Sequence, residues 1–225
     1  KEYLPNSLAL RQDGDKVVAT SPEKMATFKF GLKCFFEEGK TLAHIQHPNV
    51  VRVLNFFRAN ETVYMVMEYE RGRTLQREIQ LHGSVREDII RHVFHHMLNG
   101  LREVHLHKLL HLDIKPANIY IRRDSSPVLL DFGSARQTLT SEVKRFTPMY
   151  TPGFAAPEQY KGRENLGPWT DIYSIGASIF ACMAGFAPQA ADARLEDDRL
   201  VSAKKLWSGK YSNELLEIVD WCLQM

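Results

Sequence analysis

A stretch of twenty consecutive residues without a formal charge, 172–191, decides between two very different kinds of protein. Its length matches the roughly 20 apolar residues that a helix needs to cross a bilayer. Gly176, Gly185 and Pro188 interrupt the stretch, however, and Asp171 immediately precedes it. We therefore predict that its continuous part, IYSIGASIFACMAG, is a helix buried in a protein core, with no membrane contact by this chain.

The composition allows a substantial core and indicates no special partner. Of the 225 residues, 44% are hydrophobic and 25% are charged, which fits one large domain or two small lobes. The 29 basic and 27 acidic residues leave a net charge of +2, so no strong field predicts nucleic-acid binding. Cys34, Cys182 and Cys222 are widely spaced and form no CxxC pair, which favours a reducing compartment. We therefore expect a cytoplasmic location.

Apolar spacing changes its period along the first third of the chain. Residues 28–45 place apolar side chains near one helical face and predict an amphipathic helix. Residues 50–57 and 62–69 are rich in β-branched and aromatic side chains, which predicts two paired strands. The small strand-and-helix part is predicted to cover residues 1–67, with a hinge at 68–72.

The remainder, residues 73–225, is mainly helical in pattern. A capping-box sequence runs from Ser84 to Glu87, ahead of a long helical periodicity. Two short apolar runs around the turn-rich sequence RRDSSP predict a small hairpin. Ser212 is the predicted N-cap of the last helix.

Three short segments occur in a fixed order: HLDIKPAN at 111–118, DFG at 131–133 and APE at 156–158. They resemble the catalytic loop, the metal-binding loop and the end of the activation segment of the eukaryotic-like (Hanks-type) protein kinases. The sequences HPN before them and TDIYSIG after them extend the resemblance over nearly the whole chain. The Asp-x-Lys-x-x-Asn arrangement is similar to the serine/threonine class, and PWTDIYSIGA and APEQY look most like bacterial members.

The resemblance implies an α+β, two-lobed protein-kinase-like fold with a partial β-rich N-lobe and a mostly helical C-lobe. It also implies ATP and Mg²⁺ as cofactors and a protein substrate with a Ser or Thr acceptor. Autophosphorylation is a further implication, with candidate acceptors at Thr138, Thr140, Ser141 and Thr147. Because no GxGxxG occurs, we expect a segment truncated at both ends, without the first strands and the glycine-rich loop. The alternative function is a pseudokinase or regulatory binding module.

Phosphoryl transfer places negative charge on phosphate oxygens and needs a group that orients the attacking hydroxyl. Asn118 and Asp131 supply hard oxygen ligands of the kind that Mg²⁺ prefers. The resemblance makes Asp113 the base that accepts the substrate proton, with Lys115 neutralising the transferring phosphate. Thr151 resembles the threonine that supports both side chains.

The family also needs a lysine on the ATP phosphates, paired with a glutamate on the following helix. Lys1 is the preferred lysine, and the turn at residues 11–16 would then be the tip of an insertion. The alternative strand KVVAT puts Thr20 at the lysine position and would indicate a weakened enzyme. Glu38 is the preferred glutamate, with Glu37 as the alternative.

The remaining nucleotide contacts are predicted at the hinge. The resemblance gives Met67 the gatekeeper position, and Glu68 and Glu70 would present backbone groups to adenine. Leu112 stands where most family members have arginine before the catalytic Asp. Since that arginine receives the activation-loop phosphate, we expect activity to depend only weakly on loop phosphorylation.

A stacked apolar set is also implied by the resemblance, with Asp171 anchoring its base. Its members are Leu42, Val53, His111 and Phe132.

Overall fold

The structure, a computed structural model, describes residues 1–12, 14–132, 136 and 137, 150–161 and 165–225. Gly133 and the four candidate autophosphorylation sites therefore lie outside the described residues. The strands are β1 (Ala9–Arg11), β2 (Val17–Ala19), β3 (Val53–Ala59), β4 (Thr62–Met67), β5 (Gly72–Thr74), β6 (Leu109–Leu110), β7 (Ile119–Arg122), β8 (Pro127–Leu129) and β9 (Arg136–Gln137). The helices are α1 (Pro22–Ala43), α2 (Leu75–His82), α3 (Glu87–Leu106), α4 (Pro157–Lys161), α5 (Pro168–Ala184), α6 (Ala191–Glu196), α7 (Ala203–Trp207) and α8 (Asn213–Cys222).

The small part is built on the antiparallel pair β3–β4, as the sequence predicts. Alternation along β4 buries Val63 and Met65 on the side that faces α1, because successive side chains in a strand point to opposite faces. The first residues of the chain pair with the other edge of β4, where the Tyr3 amide donates to the Val63 carbonyl at 2.9 Å. Lys1 therefore ends up beside a central strand.

The hairpin β1–β2 lies between this first segment and α1. Its turn contains Gly14 with φ +78°, a conformation that glycine adopts without steric cost. A separate small cluster of Ala9, Val17 and Phe28 packs the hairpin against α1. The Val17 amide donates to the Asn60 carbonyl at 2.9 Å, which joins the hairpin to the β3–β4 turn.

The large part surrounds α5, whose residues are buried over most of its length. The prediction of a core helix in this stretch is confirmed. Among the described residues, no helix is long and apolar enough to cross a membrane. The predicted hairpin is also present, as β7 and β8, and it forms a three-stranded sheet with β5.

The predicted capping box at the start of α3 is wrong. The helix begins at Glu87, and its N-cap residue Arg86 makes no side-chain capping bond. Instead, the Glu87 carboxylate accepts from the Ser212 amide at 2.7 Å and from the Ser212 hydroxyl at 2.6 Å. Ser84 instead accepts from Lys210 Nζ at 3.2 Å. The predicted cap at Ser212 is confirmed, since its Oγ accepts from the Leu215 amide at 3.4 Å.

Candidate active site

Asp113 lies at the centre of a hydrogen-bond network in the loop between β6 and β7. Its Oδ1 accepts from Thr151 Oγ1 at 2.7 Å and from Lys115 Nζ at 3.1 Å. Lys115 Nζ also lies 2.8 Å from Asp113 Oδ2 and donates to Thr151 Oγ1 at 2.7 Å. The Asp113 side chain is 15% exposed, so a substrate can reach it. The structure thus brings together the three residues that the sequence predicts to be catalytic.

Asn118 joins this network to the metal-binding loop. Its Nδ2 donates to the Asp113 carbonyl at 2.8 Å and to Asp113 Oδ2 at 3.1 Å. Its own backbone carbonyl accepts from the amide of Leu130, the residue before Asp131, at 2.8 Å. With Nδ2 so placed, Oδ1 meets no donor among the described residues and is available as a hard oxygen ligand.

His111 and Asp171 support the catalytic loop from the core. His111 Nε2 pairs with the Leu130 carbonyl at 3.0 Å, and Nδ1 accepts from the Asp113 amide at 3.3 Å. These partners assign the ring proton to Nε2. Burial lowers the pKa of the His111 imidazole, although the Asp171 carboxylate acts in the opposite direction. Asp171, itself fully buried, accepts from the His111 amide at 3.0 Å.

Two members of the predicted apolar stack are in direct contact. The His111 and Phe132 rings lie 4.5 Å apart between centroids. Leu42 and Val53 are both buried in the main core, to which Phe132 also belongs. The structure thus shows the ring contact within the predicted stack and places its three apolar members in one core.

Leu112 has a backbone φ of +63° and a buried side chain. Its amide donates to Asp171 Oδ1 at 2.8 Å, and its carbonyl accepts from Gln159 Nε2 at 2.9 Å. Gln159 Oε1 in turn accepts from the Ala156 amide at 2.9 Å. A neutral amide side chain therefore links the catalytic loop to the APE segment.

Sequence reasoning missed three supporting residues. Gln159 links two loops, Arg122 pairs with Glu70 of the hinge at 2.6 Å, and His105 Nε2 lies 2.8 Å from Asp171 Oδ2. Each contact spans 47 to 66 residues of sequence, so no local pattern could have indicated it.

Lys1 reaches the metal-binding loop from the small part. Its carbonyl accepts from the Met65 amide at 2.7 Å, and its amino group donates to the Met65 carbonyl at 2.6 Å. From this position Lys1 Nζ contacts Asp131 Oδ1. Thr20 instead follows β2, and its amide donates to the Leu8 carbonyl at 2.9 Å within the hairpin region.

The two candidate glutamates occupy different sides of α1. Glu37 is exposed and accepts from Lys40 Nζ at 2.9 Å on the helix surface. Glu38 is half-buried. Burial thus separates the two, and it favours Glu38 as the residue directed toward the protein interior.

A cleft of about 770 Å³ lies between the small part and β7. Its lining includes five of the seven residues predicted to bind nucleotide or metal: Lys1, Met67, Glu68, Glu70 and Asp131. The Glu68 amide donates to the Arg52 carbonyl at 2.9 Å, and within the described residues no backbone amide is paired with the Glu68 carbonyl. A cleft of this volume is large enough for a nucleotide.

Comparison with known proteins defines the class. Residues 9–225 match the family model described as "Protein kinase domain", and the chain therefore belongs to the protein kinase family. A solved structure titled "PpkA-294 apo form" superposes with a TM-score of 0.82 at 35% identity, covering 99% of this chain and 79% of that one. The predicted two-lobed α+β kinase fold is confirmed.

The curated relatives define the class more narrowly. The chain is 31% identical to "Serine/threonine-protein kinase B" of Synechocystis sp. over 176 residues, which are 73% of this chain and 30% of that protein. It is 30% identical to "CBL-interacting protein kinase 33" of Oryza sativa subsp. japonica over 186 residues, or 82% of this chain and 39% of that protein. The chain thus spans well under half the length of these relatives. It is a serine/threonine protein kinase domain of the bacterial Hanks type.

Proposed function

We propose that this chain binds Mg·ATP and transfers the γ-phosphoryl group to serine or threonine hydroxyls of protein substrates, its own chain included. The observation that carries the proposal is the network in which Thr151, Lys115 and Asn118 all contact the Asp113 carboxylate. This network holds one carboxylate in a fixed, partly accessible position, as a general base requires. The relatives named serine/threonine kinases support the same reaction class.

In the proposed reaction the substrate hydroxyl oxygen attacks the γ-phosphorus, and the bond from that phosphorus to the β-phosphate oxygen breaks. Asp113 accepts the hydroxyl proton, and ADP leaves with the bond electrons. Lys115 neutralises negative charge on the transferring phosphoryl group. Thr151 fixes the relative positions of Lys115 and Asp113, because its hydroxyl accepts from one and donates to the other.

The donor set fits Mg²⁺. Asn118 Oδ1 and the Asp131 carboxylate would hold the ion, which supplies charge neutralisation at the phosphate oxygens. Two protein ligands are enough, because Mg²⁺ in phosphoryl-transfer sites keeps several waters and phosphate oxygens. Asp131 is half exposed, so its carboxylate can exchange Lys1 for a metal.

The position of Lys1 supports an enzyme over a pseudokinase. The pseudokinase alternative places Thr20 at the lysine position, at the end of the strand KVVAT. That segment does form β2, but β2 pairs with β1 in the hairpin. The segment that pairs with β4 contains Lys1 and Tyr3 instead, and Lys1 Nζ touches Asp131. A cation at this point can move from the carboxylate to the phosphates of ATP when nucleotide binds.

The test measures phosphate transfer from γ-labelled ATP to a generic basic protein. We expect Asp113→Asn and Lys1→Met each to lose nearly all activity, because one lacks the base and the other the phosphate contact. Lys16→Met is the matched control, since Lys16 is exposed on the β1–β2 hairpin. Equal activity in all four proteins would refute the catalytic assignment. Loss in Asp113→Asn alone would reject Lys1 as the phosphate lysine.

A further inference from the structure

A second cleft, of about 680 Å³, shares Tyr69 and Tyr120 with the 770 Å³ cleft that is proposed to bind the nucleotide. No lining residue is acidic, and four of the nine are arginines: Arg71, Arg73, Arg122 and Arg123. We call it the arginine cleft. It lies where the hinge enters β5 and pairs with β7, outside the site described above.

Two of these arginines oppose each other across the sheet. The register pairs Gly72 with Arg122, and the Arg123 amide donates to the Arg71 carbonyl at 3.2 Å, which continues the pairing by one residue. Directly opposed residues of an antiparallel pair project from the same face, where like charges destabilise the sheet. We therefore expect the like charges of Arg71 and Arg123 to repel each other when no anion is bound.

The four guanidinium groups differ in their partners. Arg122 pairs with Glu70 at 2.6 Å, and Arg73 contacts Glu78. Arg71 and Arg123 are exposed, and neither side chain has a hydrogen-bond or ion-pair partner within the part of the chain that the structure describes. An anion in the cleft would meet two uncommitted guanidinium groups and relieve their repulsion.

The surroundings select the kind of anion. Guanidinium groups bind phosphate through paired, charge-assisted hydrogen bonds, and the Ser125 hydroxyl adds a neutral donor to the lining. Carboxylates flank the cleft at Glu70, Glu78 and Asp124, so an extended polyanion such as RNA would meet repulsion at its edges. A single phosphate group held by Arg71 and Arg123 would lie within the lining, which contains no acidic residue.

We propose that the arginine cleft binds one phosphorylated serine or threonine side chain of a protein segment. The source of this ligand rests on the proposed function, since a serine/threonine kinase produces such side chains. The binding site itself rests only on Arg71, Arg123 and the cleft they line.

The experiment is fluorescence anisotropy without ATP, using a short fluorescein-labelled Ala/Gly peptide with one central phosphoserine, beside its serine and aspartate forms. We expect the protein to prefer the phosphoserine peptide by at least about tenfold, because two charge-assisted contacts exceed the free energy of a tenfold affinity change. The double variant Arg71→Gln/Arg123→Gln should lose this preference. Arg102→Gln, an exposed arginine of α3, is the matched control and should keep it.

Each other outcome overturns the proposal. Equal affinity for the phosphoserine and serine peptides would show that the protein does not recognise the phosphate. An unchanged preference in the double variant would show that Arg71 and Arg123 do not bind it. Tighter binding of a single-stranded RNA, or inorganic phosphate binding as tightly as the peptide, would reject the peptide ligand.

Because opposed charges are removed, the double variant should unfold at an equal or higher urea concentration than the control. A less stable double variant would refute the repulsion. Without ATP in the assay, a failed kinase assay leaves these outcomes unchanged.

Discussion

Among single side chains, Gln159 has the clearest structural role. It is 7% exposed and bonds both the Leu112 carbonyl and the Ala156 amide. We expect Gln159→Ala to lower the free energy of unfolding by about 2 kcal/mol, since two buried backbone groups lose their partner. Urea denaturation measures this. Gln159→Glu keeps the acceptor for the Ala156 amide but sets a buried carboxylate oxygen against the Leu112 carbonyl, so it should be no more stable than Gln159→Ala. A fully stable Gln159→Ala would show that water replaces the amide.

Leu112, which accepts the bond from Gln159, also affects how activity should depend on loop phosphorylation. Leu112 is buried and carries no charge, so it offers no receptor for a loop phosphate. We expect Thr147→Ala to retain most of the transfer activity, measured with the basic-protein assay, and Thr147→Glu to give no gain. Loss of activity in Thr147→Ala with recovery in Thr147→Glu would contradict this.

His111 makes stability depend on pH. Burial lowers the pKa of its imidazole below the ordinary value of 6.5, so between the two pKa values the unfolded chain binds more protons than the folded one. The free energy of unfolding should therefore be at its full value above about pH 7. Below pH 6.5 it should fall by up to about 1.4 kcal/mol per pH unit. Urea unfolding at several pH values measures the slope. His111→Phe should be less stable at neutral pH, but its free energy of unfolding should depend less steeply on pH. An unchanged pH dependence would mean that another group causes it, for example His47, whose pKa is also lowered by burial.

At the scale of elements, the start of α3 depends on a residue of another helix. Ser212 caps α8 and donates to Glu87, and its side-chain hydrogen bond lowers the pKa of that carboxyl. We expect Ser212→Ala to cost about 1–2 kcal/mol in unfolding free energy, as the loss of an N-cap does. Ser84→Ala, at the capping residue that the sequence predicts, should change stability by less than about 0.5 kcal/mol. If thermal denaturation showed a larger loss of stability for Ser84→Ala than for Ser212→Ala, the predicted capping box at Ser84 would be supported instead.

Elements whose residues follow a local pattern could be predicted from the sequence. The paired strands, the β7–β8 hairpin and the buried α5 follow from local periodicity, and all are present. The Ser84 box matched a local pattern but failed, because Glu87 finds a partner 125 residues away. Within the site, motif spacing indicates Asp113, Asn118 and Asp131. The bridge by Gln159 needs a contact between segments that no local pattern specifies.

At the scale of the whole molecule, the small and large parts meet at the cleft that is proposed to bind the nucleotide. Lys1 crosses it to Asp131, and Arg122 holds the hinge through Glu70 and also donates to the Pro48 carbonyl at 2.8 Å. A ligand that binds both sides of the cleft should therefore stabilise the fold as one unit. At a concentration a hundredfold above its Kd, Mg·ATP should add about 2.7 kcal/mol. For a chain of this size that raises Tm by about 5–10 °C.

The origin of that stabilisation can be assigned with matched variants in a thermal-shift measurement. Lys1→Met removes the only phosphate contact proposed from the small part, so it should lose most of the Mg·ATP shift, whereas Lys16→Met keeps it. Asp131→Asn should abolish the difference between Mg·ATP and ATP with EDTA, because an amide is a weaker ligand for Mg²⁺ than a carboxylate. Lys1 and Asp131 contact each other without nucleotide, so either variant loses this ion pair and has a lower Tm before ligand is added. The quantity to compare is therefore the rise in Tm that Mg·ATP causes in each protein, not the Tm itself. An equal Mg·ATP shift in Lys1→Met would mean that nucleotide binds through the hinge and large part alone.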